Sequence, residues 1–389
     1  MRVAQVVETL SMGGAENLAV NIANTLADQG HDSHLIAVQE RGPLAERIQS
    51  NVKVHCPEFL RASIRNPIRF LGSLRAGRQL LCELVRAENI DIVQTHLPGA
   101  NFWGLSLARA GACTVIPTIH NNEEFKYGNS DNPLLLFLRK SAYRQMLKDC
   151  QGMVAVSEAV RASMLKNLGR PSSDKSKISV VTNAVPVPAP LASGEKLAIR
   201  QRFGIAPDDT FVLAAGRFSD QKNFADLLPV TERLRAADST VRVLVAGDGE
   251  LRPGLAAASK VGNLSEQLLM PGNVGDLTRV MLAADIFVMT SLWEGLPLVL
   301  LEAMAASLPV VAYGIPGVVE VVDIGVTGLT APVGDVNRLG DLLAELDADP
   351  SGRQAMGAAG KDKITREYGF GEMVESLTGI YRQAQQVQV

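Results

Sequence analysis

The chain has 389 residues, 47% of them apolar and 20% charged. That excludes a disordered polypeptide and supplies enough apolar side chains for two cores of roughly 150–200 residues each. The net charge of -3 is uneven: residues 1–190 hold 21 Lys/Arg against 16 Asp/Glu (+5), residues 191–389 hold 17 against 25 (-8), and the first half has no basic, aromatic-interleaved cluster of the kind that binds nucleic acid.

In chain order, RVAQVVET (2–9) reads as a buried strand. It runs into Met12-Gly13-Gly14-Ala15-Glu16 and a helix to about residue 30. Glycines at a strand-to-helix turn let backbone N–H groups approach an anion, so Gly13 and Gly14 are candidates for ligand contact; a plain tight turn is the alternative. HDSHLIAVQ (31–39) is the next strand. Arg61, Arg65, Arg69, Arg75 and Arg78 follow without an acidic residue between Glu58 and Glu83. Asn66-Pro67 starts a helix there, with Leu71, Leu74, Leu81 and Leu84 as its apolar seam. Such a helix either packs on the core with a solvated basic face or lies on an anionic membrane.

NIDIVQTH (89–96) and CTVIPTIH (113–120) are strands that end on His96 and His120. A lone histidine is more often a structural hydrogen-bonder, yet the polar neighbours Asn121, Asn122 and Glu123 favour a working role for His120. GMVAVS (152–157) and ISVVTNAV (178–185) complete the first half, and Asn183 is read equally as a turn or hinge residue or as a ligand contact. Pro186, Pro188 and Pro190 make a stiff linker. Cys56, Cys82, Cys113 and Cys150 have no metal-site or C-x-x-C spacing and read as free thiols in a reducing compartment. No signal peptide and no 18-residue apolar stretch are found, so a cytoplasmic protein is expected.

After the linker the alternation restarts at 210–217, 241–249, 267–272, 285–290 and 308–313. Strands alternating with helices predict two tandem α/β domains, 1–186 and 195–369, each a parallel sheet with ligands at the strands' carboxyl ends. Gly216-Arg217-Phe218-Ser219-Asp220-Gln221-Lys222 follows the first strand of the second domain, where an Arg fork and a Lys point charge suit a pyrophosphate. Trp293-Glu294-Gly295-Leu296-Pro297-Leu298 opens a helix that carries Glu302 eight positions after Glu294. A carboxylate on an apolar helix is costly unless it is paired or accepts hydrogen bonds, and sugar hydroxyls would supply these.

These motifs resemble the retaining glycosyltransferases of GT-B fold, the large group 1, family 4-like set, over essentially the whole chain. Glu294 to Glu302 forms its E-x7-E pattern; G-G-A-E, G-R-x(4)-K, the strand-ending histidine and V-A-G-D-G come in the expected order. The resemblance implies α/β GT-B architecture: two Rossmann-like domains facing a central cleft, with a last helix (about 370–389) crossing back to the first. It implies that Arg217 and Lys222, beside Gly216, clamp a nucleoside diphosphate. Glu302 would hold the ribose, and Glu294 with Gly295, Leu296, Pro297 and Leu298 the sugar and its phosphate. Gly272 and Val274 would lie by the base, His120 by the reacting sugar, and Gly13 and Gly14 near the diphosphate. Catalytic roles then fall to His120, Glu294, Arg217 and Lys222. No cofactor and no metal are expected, since two cations and helix termini can meet the leaving charge. The implied donor is a nucleoside-diphosphate sugar, UDP first, with a glycan, lipid-linked or small-molecule acceptor and contact with an anionic membrane at the inner face. Asn183-Ala184 departs from the Asn-Gly of many relatives. The rival readings are a sugar-nucleotide 2-epimerase of the same fold and a non-catalytic two-lobed binding protein.

Overall fold

The computed structural model describes residues 1–60, 67–125, 132–171, 177–237 and 239–386; Arg61, Arg65, Asn66 and Tyr127 lie outside them. The chain divides into two compact units, Met1–Thr182 with Gly371–Val389, and Asn183–Phe370.

The first unit runs β1 (Arg2–Thr9), α1 (Gly14–Asp28), β2 (Asp32–Glu40), β3 (Lys53–His55), α2 (Pro67–Ala87), β4 (Ile92–His96), α3 (Leu97–Arg109), β5 (Thr114–Ile119), α4 (Pro133–Asp149), β6 (Met153–Ala155), α5 (Glu158–Leu168) and β7 (Ile178–Val180). Its seven strands are parallel, in the order β3-β2-β1-β4-β5-β6-β7. The second unit runs α6 (Glu195–Arg202), β8 (Thr210–Ala215), α7 (Leu227–Ala236), β9 (Val241–Ala246), α8 (Arg252–Val261), β10 (Leu268–Gly272), α9 (Leu277–Ala283), β11 (Ile286–Met289), α10 (Leu298–Ala305), β12 (Val310–Tyr313), α11 (Pro316–Val319), β13 (Gly328–Ala331), α12 (Val336–Ala348) and α13 (Pro350–Glu367). Its six strands are also parallel, ordered β10-β9-β8-β11-β12-β13. A last helix, α14 (Phe370–Gln386), returns to the first unit. Both units are therefore Rossmann-like.

The apolar runs become strands because helices cover both faces: every residue of β4, β5, β8, β11 and β12 is buried. Each sheet reverses its order once, between β1 and β4 and between β8 and β11. Strand carboxyl ends splay apart at such a point and leave a crevice for a ligand. Side chains set the helix starts: Ser157 accepts from the Val160 amide and Asn132 from those of Leu134 and Leu135.

One expectation changes, and two short strands are not read from the sequence. The core-facing seam of α2 is Gly77, Leu81, Cys82 and Val85, whereas Leu71 is exposed and Leu74 and Leu84 half-buried. The seam lies later because only the second half of α2 is fully covered. The edge strands β3 and β13, three and four residues long, are too short to show a period of two. Cys82, Cys113 and Cys150 are buried free thiols, and Cys56 is a half-buried one.

Candidate functional site

In the second unit the G-R-x(4)-K loop leaves β8 and the W-E-G-L-P segment leaves β11, so both motifs sit at the switch point. Hydrogen bonds join them. The Leu292 amide donates to the Gln221 carbonyl at 2.9 Å, Thr290 Oγ1 to the Lys222 carbonyl at 2.8 Å, and Gln221 Nε2 to the Trp293 carbonyl at 2.9 Å. Lys222 Nζ lies 2.6 Å from Glu294 Oε1, and Gln221 Nε2 donates to Glu294 Oε2 at 3.1 Å. Glu294 is only 8% exposed, and this ion pair with its added donor is what makes a buried carboxylate tolerable. Arg217 is exposed and has no ion-pair partner among the described residues. Among the described residues this loop thus carries one exposed cation, Arg217, and one already paired with a carboxylate, Lys222.

The backbone round this loop is held by glycines. Gly216 has φ +151°, and Gly247, at the end of β9, has φ +131°. A Cβ on Gly247 would sit 2.0 Å from the Gly216 carbonyl oxygen, so only glycine lets the two turns pack. Gly317, at the start of α11, serves the other motif: a Cβ there would meet the Gly295 oxygen at 2.3 Å. Gly272 is buried with φ +87°, its carbonyl accepting from the Gly247 amide at 2.9 Å, and Val274 is buried just beyond it.

Gly295, Leu296 and Pro297 are buried and lead to Leu298, the first residue of α10. Glu302 does not lie on the buried face of α10. It is half-buried on the open stripe with Leu298 and Val299, because Leu300, Leu301, Ala303 and Met304 take the core positions. Asn183 is 3% exposed and donates from Nδ2 to the Leu296 carbonyl at 2.9 Å, which ties it to the turn before α10. Gly317 does not stand out in the amino-acid sequence, and Gln221 is visible only as an unassigned position of the G-R-x(4)-K loop. Gly247 is visible within V-A-G-D-G, but its partner is 31 residues away.

In the first unit Gly13 caps α1 and Gly14 begins it. The N-terminus of this helix already carries the chain's own carboxylate: Glu16 Oε2 lies 2.1 Å from where a Cβ on Gly13 would be. The amino-acid sequence leaves this turn open to an external anion; the structure supplies an internal one at the third helical position. At the switch point His96 is fully buried and ends β4, and His120, half-buried, follows β5. His96 Nδ1 and His120 Nε2 are 3.0 Å apart, and Gln5 Oε1 accepts from His96 Nε2 at 2.7 Å. Burial pushes His120 down to about 4. Burial and the neighbouring His120 ring hold His96 well below the usual imidazole range. Both rings are therefore neutral at pH 7. Glu124, bound by Tyr143 at 2.6 Å, is pushed up by burial to about 7.

Among the described residues, His34, His55 and Glu88 are the one group with metal-ligand chemistry. His34 Nδ1 and His55 Nε2 are 3.0 Å apart, closer than the ~3.3 Å between two nitrogens at tetrahedral zinc, which makes this contact a direct hydrogen bond. The Asp-x-Asp triplet Asp347-Ala348-Asp349 is taken up by structure: Asp347 accepts from Ser239 Oγ at 2.7 Å, and Asp349 caps α13. Among the described residues no helix is long and apolar enough to cross a membrane.

Comparison with known proteins matches residues 12–187 to Glycosyltransferase Family 4 and residues 195–363 to Glycosyl transferases group 1. A UDP-Gal:alpha-D-GlcNAc-diphosphoundecaprenol alpha-1,3-galactosyltransferase of Escherichia coli is 25% identical over 376 residues, 95% of this chain and 94% of that one. An alpha-maltose-1-phosphate synthase of Mycobacterium tuberculosis is 31% identical over 248 residues, 59% of this chain and 62% of that one. The crystal structure of Anabaena HepE in complex with UDP and glucose superposes with a TM-score of 0.81, covering 97% and 98% of the two chains at 16% identity, and so shares the fold.

Proposed function

This chain belongs to the glycosyltransferases of family 4 and group 1, and from that premise we propose that its second unit holds a UDP-sugar through Arg217, Lys222, Glu294 and Glu302. The observation that carries this reading is the Lys222–Glu294 ion pair beside exposed Arg217 at the β8/β11 switch point. An ammonium has three donors, so Lys222 can keep Glu294 while it meets a phosphate oxygen. Arg217 supplies a two-pronged donor to the other phosphate. Glu294, paired with Lys222 and held by the Gln221 amide, is assigned to the sugar hydroxyls. Glu302, on the open stripe of α10, is assigned to the ribose.

When the bond from sugar to diphosphate breaks, negative charge grows on the leaving oxygen. Arg217, Lys222 and the amides at the start of α10 would lower that barrier without a divalent ion. The reaction retains the anomeric configuration, with the departing phosphate receiving the acceptor's proton. UDP is preferred over other bases on the strength of the relatives that act on UDP-Gal or bind UDP. The family and these relatives favour transfer over 2-epimerisation and over mere binding.

The acceptor is read as lipid-linked or a glycan. Leu134, Leu136, Phe137 and Leu138 are exposed at the start of α4, and Arg139, Lys140 and Arg144 follow with no acidic residue before Asp149. An apolar tip behind a basic band suits an anionic membrane surface. The expected product of a UDP-sugar and a polyprenyl-diphosphate-sugar in vesicles is UDP plus an extended lipid with an α-linkage from an α-donor. A β-linked product would overturn retention; nucleotide release that needs added divalent metal would overturn the metal-free clamp.

A further inference from the structure

His120 lies at one end of a buried polar chain. His96 Nε2 donates to Gln5 Oε1 at 2.7 Å, and Gln5 Nε2 donates to the Tyr381 hydroxyl at 3.3 Å. The Tyr381 hydroxyl donates to Gln94 Oε1, and Gln94 Nε2 donates to Thr118 Oγ1 at 2.8 Å. Gln5, Gln94, His96 and Tyr381 are each at most 1% exposed, so no bulk water competes for these groups. The chain joins β1, β4, β5 and α14, all within the first unit. Directly after His96 the backbone turns sharply, with Leu97 at φ +70°, a left-handed conformation that disfavours any residue with a side chain. His96 is thus held at the very end of its strand.

Such a chain has a direction. Each amide offers one acceptor and one kind of donor, and each neutral imidazole one of each. With Gln5 Oε1 taking the Nε2 proton of His96, His96 Nδ1 is a bare acceptor. The His120 nitrogen 3.0 Å away must then carry the proton. We propose that Tyr381, Gln5 and His96 act as positioning residues that fix His120 in the Nε2–H tautomer and leave its Nδ1 as an acceptor for a ligand hydroxyl. This deepens the proposed function, since it rests on His120 meeting a sugar hydroxyl. It assigns to α14 a task beyond packing, because that helix supplies the tyrosine that orients Gln5. His120 acts here as a neutral acceptor, not as a proton donor. The titratable groups around it are His96, Glu124 four residues on, Tyr381, and Glu8, whose carboxyl packs on Gly99 three residues after His96.

The test is nitrogen-15 NMR of the full chain labelled at histidine, assigned with the His96→Gln and His120→Gln variants. At pH 7 the expected spectrum shows His120 protonated at Nε2 and bare at Nδ1, with His96 the same. A proton on Nδ1 of His120, or a charged ring, overturns the proposal. Tyr381→Phe removes the hydroxyl but keeps the ring, so Gln5 loses its orientation. In that variant His120 is expected to populate both tautomers, with kcat down about tenfold and UDP affinity within twofold of the parent. An unchanged His120 spectrum in Tyr381→Phe overturns the relay whatever the activity does. A changed tautomer with unchanged kcat keeps the relay and overturns the assignment of His120 to the sugar. Should Tyr381→Phe fail to fold, Gln5→Glu tests the same relay. The carboxylate accepts from His96 Nε2 in either charge state, so the relay requires a charged His96 beside an Nδ1–H His120 or a neutral His96 beside an Nε2–H His120; any other combination in that variant overturns the relay.

Discussion

The two units are built alike, yet their switch points hold opposite chemistry. The second unit places Arg217, Lys222 and Glu294 at the end of its middle strands, two cations against one buried carboxylate. The first places His96, His120 and Gln5 at the corresponding point, all uncharged at pH 7. The fold provides a crevice in both and dictates the chemistry of neither. Charge suits the region assigned to a diphosphate. Neutral, oriented acceptors suit the region assigned to a sugar, whose hydroxyls carry no charge.

The sharpest way to break this comparison is to remove charge from the second unit. Lys222→Ala strands Glu294 at 8% exposure without its cation and is expected to lower kcat/KM about 100-fold or more, read by nucleotide release. Arg217→Ala removes an exposed cation and should leave the melting temperature within about 1 °C, since surface substitutions rarely cost more than about 0.5 kcal/mol. A loss of turnover below threefold in both variants would remove the clamp. Next in size is Gly247→Ala. Its Cβ would overlap the Gly216 carbonyl from a left-handed backbone, so a loss of about 3 kcal/mol and a displaced Arg217 loop are expected in thermal melts and donor binding.

The first unit should respond to pH where the second does not. Glu124 titrates near 7 when folded and near 4.5 when unfolded, so the folded state holds more protons between those values. Its contribution is fully present below about 4.5 and declines as pH rises to 7, by at most about 3 kcal/mol. Glu124→Gln should flatten the stability profile over that window, and an unchanged profile would remove Glu124 as its source. A smaller effect is expected from Asn183→Ala, about 1 kcal/mol for the lost bond to Leu296, seen as a lower melting temperature. At the surface, Phe137→Asp with Leu138→Asp should leave stability within about 0.5 kcal/mol while vesicle binding falls. Unchanged vesicle binding would remove the start of α4 as the membrane contact.

The same contrast explains what can be read from the amino acids. Apart from the short edge strands β3 and β13, the strands of both sheets are legible because apolar runs in parallel sheets are buried on two faces. The second unit's motifs are legible because charged residues stand out after such strands, and Lys222 and Glu294 do pair in space. The first unit's relay is not. Gln5, Gln94 and Tyr381 look like ordinary polar residues in a strand or helix, and their meaning arises from a contact spanning 376 residues between Gln5 and Tyr381. Glu302 reads as part of the buried face because α10 is apolar almost throughout, and sequence alone does not show which stripe stays open. The Gly13–Gly14 turn reads as open to an anion because the return of Glu16 over Gly13 depends on a rotamer, which sequence does not reveal.

The central claim is that the charged switch point of the second unit binds a nucleoside diphosphate, and the most direct measurement is a thermal-shift panel of UDP, GDP, ADP and TDP on the parent and Lys222→Ala, with and without EDTA. At 100 times its dissociation constant a ligand adds about 2.7 kcal/mol. The expected result is a rise in melting temperature for the parent with UDP, unchanged by EDTA and lost in Lys222→Ala. No shift with any nucleotide, or a shift of equal size in Lys222→Ala, would contradict it.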